Sequence, residues 1–358
     1  MGQLGFGPEY QERPKFNPVP ALKDKEISYI ACGALHNAVI ADGEVYTWGC
    51  NDDAANGRDT DEWYPNKVVG LDGKRIVQVT CGDCHTVALA DSGEVFSWGT
   101  YKNNNGVIGY NKSIKTRSTA GLVEDFKRHR VVQISSGENH DLAITEHGKL
   151  YEWGDVRLGQ RQSARVSRDK LVPRQLAFGK HRIRAAFATR YCNFAVTVDE
   201  DIYAWGLNNY GQCGVGDVRE LLVPTQVPAL KGWGKIKKIA GGIHHTLFLF
   251  EDGKVYSAGR GHYGRLGLGD EKDQLEPKLV ESLQWGDDHV VDVGCGGENS
   301  MAVTEKGKLY TWGYGELFQL GNGEEKDEHL PFLVPATTYR ALQVDGGAQH
   351  SIGLFTKK

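Results

Sequence analysis

An aromatic strand that ends in glycine recurs six times along this chain. Its Trp falls at Trp48, Trp98, Trp153, Trp205 and Trp312, and Ala258 takes the slot in Val-Tyr-Ser-Ala-Gly. The intervals run from 50 to 55 residues. A period that long and regular means that one supersecondary unit is stacked many times, and length divided by period gives about seven units.

Each unit reads as strands. In the first, a glycine turn at Cys32-Gly33-Ala34-Leu35-His36 leads into Asn37-Ala38-Val39-Ile40-Ala41. Asp42-Gly43 supplies a hairpin turn and Glu44-Val45-Tyr46-Thr47-Trp48-Gly49 returns. Two short apolar runs, at 66–69 and 75–79, complete four strands, the content of a propeller blade. Apolar residues nowhere recur at three and four spacing over ten positions, so no long amphipathic helix is expected. The expectation is an all-β, seven-bladed β-propeller forming one domain over 1–358. Its repeat units lie at 31–79, 80–134, 135–185, 186–238, 239–292 and 293–340, with 1–30 and 341–358 together making the seventh. Gly346 to Phe355 supplies a glycine turn and a first strand, while Gly2-Gln3-Leu4-Gly5-Phe6-Gly7 matches Gly264-Arg265-Leu266-Gly267-Leu268-Gly269, the segment that follows an aromatic strand. The last blade is therefore expected to be shared by both termini, with its closing strand missing from a truncated N-terminus.

The 46 glycines in 358 residues are nearly double the usual share, as so many turns require. No run of 18 apolar residues offers a membrane span, and no apolar N-terminal stretch reads as a signal peptide. Seven cysteines, an odd number scattered through the repeats, suit a reducing compartment. Cys81-Gly82-Asp83-Cys84 has C-x-x-C spacing, but a zinc site needs a second ligand pair and a redox motif needs a helix at the first cysteine. His36, His85, His140, His245 and His350 share one repeat offset and read as residues that hold the glycine turn through neighbouring backbone. Neither a metal site nor a cofactor is expected. The phosphate loop, the H-E-x-x-H helix and the G-x-S-x-G elbow are all absent, so binding of a macromolecule is favoured over bond-making catalysis.

The repeat signature, Gly-x-x-His, an apolar strand, then Asp/Glu-x-Gly-x-Val-Tyr-x-Trp-Gly, resembles the regulator of chromosome condensation family over the whole chain. One segment departs from the repeat. Trp98-Gly99 is followed by Thr100, Tyr101, Lys102, Asn103, Asn104, Asn105, Gly106, Val107 and Ile108. This stretch looks like the insertion wedge of the family's founding member, an exchange factor for the small GTPase Ran. Read from the residues alone, Asn103 to Gly106 turn sharply and Val107 and Ile108 anchor the return leg. The resemblance implies guanine nucleotide exchange without a chemical step: the wedge contacts the GTPase near its phosphate site and accelerates GDP/GTP exchange on chromatin. It implies Asp83 as an acidic exchange residue and His36, His140, His244 and His350 as further GTPase contacts. Two positions depart from the family pattern. Glu138-Asn139-His140 stands where an Asn-Asp pair precedes the histidine, so that Asn139 takes the carboxylate's place and either the turn accommodates Glu138 in that role or activity is reduced, and Lys112 replaces an acid after the wedge.

From Arg157 to Arg190 ten basic residues face one acid, Asp169. Read as function, this stretch contacts an acidic partner, and the resemblance makes that partner a nucleosome, with Arg161, Arg165 and Arg168 as the chromatin-binding residues. Read blandly, it is a solvated loop. The implied partners are a Ran-type GTPase and the histones and DNA of a nucleosome, in the nucleus, with no membrane. A propeller adaptor or chromatin-binding scaffold without exchange is the alternative. A photoreceptor would place tryptophans beside the glycine turns, where Ala34, Asp83 and Glu138 stand.

Overall fold

The computed structural model describes residues 2–103, 105–156, 168–284, 286–335 and 338–357. It is built of antiparallel strands and short 3-10 turns. Six four-stranded blades follow one another, each a meander. The first runs Ile27–Cys32, His36–Ala41, Glu44–Gly49, Asn66–Lys67. The second orders Arg117–Leu122, Val95–Gly99, His85–Ala90, Ile76–Cys81, and the third orders Val131–Ser136, His140–Thr145, Leu150–Gly154, Arg174–Gln175. The remaining three begin at Ile183, Ile236 and Val290. Two compact units divide the chain: Met1–Gln11 with Pro18–Arg190, and Glu12–Asn17 with Tyr191–Lys358.

The second strand of every blade is buried at each of its positions, as in His85–Ala90 and His245–Phe250. A strand covered on both faces reads as a continuous apolar run rather than an alternation. In the first blade Asp42 and Gly43 both have positive φ, 55° and 81°, which a two-residue hairpin of this twist requires.

The expected seventh blade is not formed. Tyr339–Gly346 pairs with Ser351–Lys357 as a two-stranded sheet, and no described N-terminal residue extends it. The reason lies in pairing order. A blade's fourth strand bonds its third, and the C-terminal repeat supplies no Tyr-x-Trp-Gly strand for an N-terminal segment to pair with. Phe16 instead packs edge-on against Phe355 at 5.7 Å, and Lys15 makes an isolated bridge to Asn322. Gly2–Gly7 belongs to the first unit, where it behaves as its motif says, as the connection onto a blade.

That connection stitches blades together. The Gln3 carbonyl accepts from Trp48 Nε1 at 3.0 Å and from Asn37 Nδ2 at 2.8 Å. In the next connection the Ala55 carbonyl accepts from Trp98 Nε1 and Thr86 Oγ1, and in the second unit the Arg265 carbonyl accepts from Trp312 Nε1 and Ser300 Oγ. The recurring tryptophan therefore serves as a donor as well as a core side chain.

Candidate functional site

Three of the repeat histidines reach side chains of the next blade. His36 Nε2 lies 2.9 Å from Thr86 Oγ1, His85 Nε2 3.0 Å from Asp141 Oδ1, and His245 Nε2 2.9 Å from Ser300 Oγ. Each imidazole thus reaches the second position of the next blade's second strand, after His85, His140 or Asn299, while the turn itself is closed by backbone, as Gly82 N–H to the His85 carbonyl. The turn glycine leaves room for the ring: a Cβ at Gly82 would stand 2.0 Å from His85 Cε1. His36, His140 and His350 are buried. Of the four histidines expected at a partner surface, only His244 is half-exposed.

The departure after Trp98 is a hairpin set between the third and fourth strands of the second blade. Tyr101–Asn103 pairs with Gly106–Gly109, and Asn105 N–H bonds Asn103 Oδ1 at 2.8 Å to shape the turn. Asn104 lies outside the described residues. The return leg is anchored by Ile108 alone of the expected pair: Ile108 is buried with Tyr101, Trp153 and Leu171, while Val107 is exposed. Gly106, at φ 106°, has nothing within 4 Å of the position a Cβ would take, so the tip stands clear of the blade.

Its base is held on every side. Thr100 N–H bonds the Cys84 carbonyl and Thr100 Oγ1 the Lys115 carbonyl. Lys102 N–H donates to Asn139 Oδ1 at 2.8 Å, and the Lys102 ammonium pairs with Asp53. Partial burial opposes the charge on Lys102, but the Asp53 carboxylate and the Cys84 sulfur outweigh it and raise its pKa. Burial and the carboxylates of Asp83 and Asp53 push the Cys84 thiol far above its usual range, which disfavours the thiolate. Tyr101 is buried beneath the hairpin. Its hydroxyl donates to Asp141 Oδ2 at 2.6 Å and accepts from Trp153 Nε1 at 2.7 Å. Ser136 Oγ donates to Asp141 Oδ1 as well. Asp141 and Asp53 were not singled out in the sequence, and Trp153 was read only as a repeat position. Only Asp141 carried a signal, being the one carboxylate in a slot that elsewhere holds Asn37, Thr86, Asn193, Thr246, Ser300 and Ser351.

Beside the hairpin the turns of successive blades are linked by backbone. Asp83 N–H bonds the Glu138 carbonyl at 2.7 Å and Glu138 N–H the Arg190 carbonyl at 3.0 Å. The Glu138 carboxylate also pairs with Arg190 at 4.0 Å. Asp83, Glu138, Asn139 and the hairpin base are thereby gathered at one edge of the first unit, with Asp83 and Glu138 half-buried and Asn139 buried. In the second unit His244 packs on Tyr210 at 4.7 Å, and burial together with Arg265 and Arg260 lowers its pKa to about 4. Among the described residues no group of His, Cys, Asp and Glu could hold a metal ion.

Of the basic stretch, Arg161 and Arg165 lie outside the described residues, and Arg168 is exposed, donating to the Lys112 carbonyl. Several neighbours are already paired: Lys112 with Asp169, Lys170 with Asp155, Arg174 with Glu152 and Arg190 with Glu138.

The RCC1-like domain model matches residues 1–353. The chain belongs to that family. It is 34% identical to the human Regulator of chromosome condensation, covering 100% of this chain and 89% of that protein. To the Guanine nucleotide exchange factor SRM1 of Saccharomyces cerevisiae it is 31% identical, covering 98% and 84%. The Arabidopsis thaliana Ultraviolet-B receptor UVR8 is 35% identical, over 98% and 78%. A solved structure of Prp20p from Saccharomyces cerevisiae, described with its binding properties to Gsp1p and histones, has a TM-score of 0.91 at 30% identity and covers 100% of this chain and 90% of that one. Whole-chain similarity alone does not choose between an exchange factor and a photoreceptor, so the choice falls to the site.

Proposed function

We propose that this chain is a guanine nucleotide exchange factor for a Ran-type small GTPase, acting in the nucleus on chromatin. The observation that carries the reading is the hairpin at Tyr101–Gly109, which breaks the blade repeat with a hydrogen-bonded base and exposed residues at Asn105, Gly106 and Val107. A relative named as an exchange factor and a structural neighbour described with Gsp1p and histones support the same reading.

The proposed mechanism needs no bond to be made. The tip residues Asn103 to Val107 press near the phosphate site of the docked GTPase, while Asp83, Glu138 and Asn139 contact or orient the surrounding surface. If the GTPase with its phosphate site opened binds more tightly than the nucleotide-loaded form, the same factor must weaken nucleotide affinity, because the coupling is reciprocal. His36, His140 and His350 are buried and are assigned a supporting role rather than a contact with the partner. The nucleosome contact is assigned to the basic stretch containing Arg161, Arg165 and Arg168.

The test is release of fluorescent GDP from Ran with and without the protein. Acceleration by the wild type, lost on replacing Asn103, Asn104 and Asn105 by a Gly-Ser turn, is the expected result. Binding to Ran without faster release would establish the adaptor reading instead.

A further inference from the structure

In the stitches at Gln3, Ala55 and Arg265 the aromatic strand's indole N–H and the slot residue both donate to one carbonyl of the preceding connection, as Trp98 and Thr86 do to Ala55. Among the described residues the third blade's indole meets no such carbonyl, because the hairpin stands in place of the connection. Trp153 Nε1 bonds the Tyr101 hydroxyl instead. A carbonyl accepts two hydrogen bonds, whereas a hydroxyl that accepts one has its own proton to place. The slot residue must then be an acceptor, and here it is Asp141, whose carboxyl oxygens face three groups: the Tyr101 hydroxyl, Ser136 Oγ and His85 Nε2. His85 must carry its proton on Nε2 to join this set. The His85 and Tyr101 rings also lie 4.3 Å apart.

From this exchange of chemistry we infer that Tyr101 and Asp141 are positioning residues for exchange: they build the wedge base into the contact between the second and third blades, so that the tip pushes against the GTPase instead of yielding. The inference rests on the exchange-factor reading. A tip can only impose strain on its partner if its own support is stiffer than what it displaces. Tyr101 is fully buried, while Gly106 and Val107, five and six residues on, are exposed.

The experiment compares wild type, Tyr101→Phe and Asp141→Asn in full-chain protein. Tyr101→Phe keeps the ring in place and leaves Asp141 and Trp153 without their shared partner. The maximal rate of GDP release is expected to fall about 10-fold, the equivalent of one lost hydrogen bond to a charged group, while KM for Ran·GDP stays within about 2-fold. Asp141→Asn retains an acceptor and should lose less. In a protein that also carries Val107→Gly at the tip, Tyr101→Phe should add less than its separate effect, since both act through the wedge. Hydrogen exchange of the Lys102 and Val107 amides, read without any GTPase, should quicken in Tyr101→Phe. If the wild type does not accelerate release, the exchange-factor reading fails, and the amide measurement still decides the brace. Wild-type kinetics together with unchanged amide exchange in Tyr101→Phe would overturn the inference.

Discussion

Asn139 offers the sharpest separation between holding the wedge and performing acid chemistry. Its Oδ1 accepts the Lys102 amide at 2.8 Å, and the residue is only 4% exposed. Asn139→Leu preserves the volume and leaves that amide without its partner, at a cost of about 1–3 kcal/mol. Each kcal/mol shifts the melting temperature of a unit of this size by about 2–4 °C, so a fall of about 2–12 °C is expected in a circular-dichroism melt. If the whole loss falls on the positioning of the wedge, GDP release slows by about 5- to 150-fold. Asn139→Asp keeps an acceptor facing Lys102 and should release GDP within about 2-fold of wild type, with Glu138 as the working acid. Two results refute this account. An Asn139→Leu protein with unchanged melting and exchange shows that the bond does not hold the wedge, and a large acceleration by Asn139→Asp shows that a carboxylate was wanted at 139.

The remaining predictions concern the second unit and the basic stretch. His244 is held near 4 by burial and by Arg265 and Arg260, below the value of about 6.5 in an unfolded chain. The unfolded state therefore binds the proton first, so stability is lost as pH falls from about 6.5 through 4, and His244→Phe should flatten that part of the profile. Parallel stability curves for the two proteins across this window would count against it. Reversing charge at Arg161, Arg165 and Arg168 should weaken DNA or nucleosome association and make its dependence on salt shallower, because fewer condensed counterions are released. Release of GDP from free Ran should stay unchanged; if it slows while the salt slope holds, the stretch belongs to the GTPase interface.

The blades were legible because their information is local: an Asp-Gly turn between an apolar and an aromatic strand can be read within about 15 residues. The blade count was not, since glycine turns were counted where third strands decide, and the C-terminal repeat has the turn without the Tyr-x-Trp-Gly strand. The wedge showed itself as a break in the period, but its return leg was read from hydrophobicity, which could not tell buried Ile108 from exposed Val107. The histidines were misjudged for a different reason. Their partners lie about 50 residues away in the next repeat, and only aligning one unit on another pairs His36 with Thr86 and His85 with Asp141. That same alignment isolates Asp141, the one carboxylate in a slot of hydroxyls and amides. A hydroxyl there could have donated to a carbonyl, as Thr86 and Ser300 do, but it could not have met three donors at once. The choice of carboxylate at 141 is therefore a consequence of the wedge at 101, and the two should be changed together in any attempt to move this hairpin onto another blade.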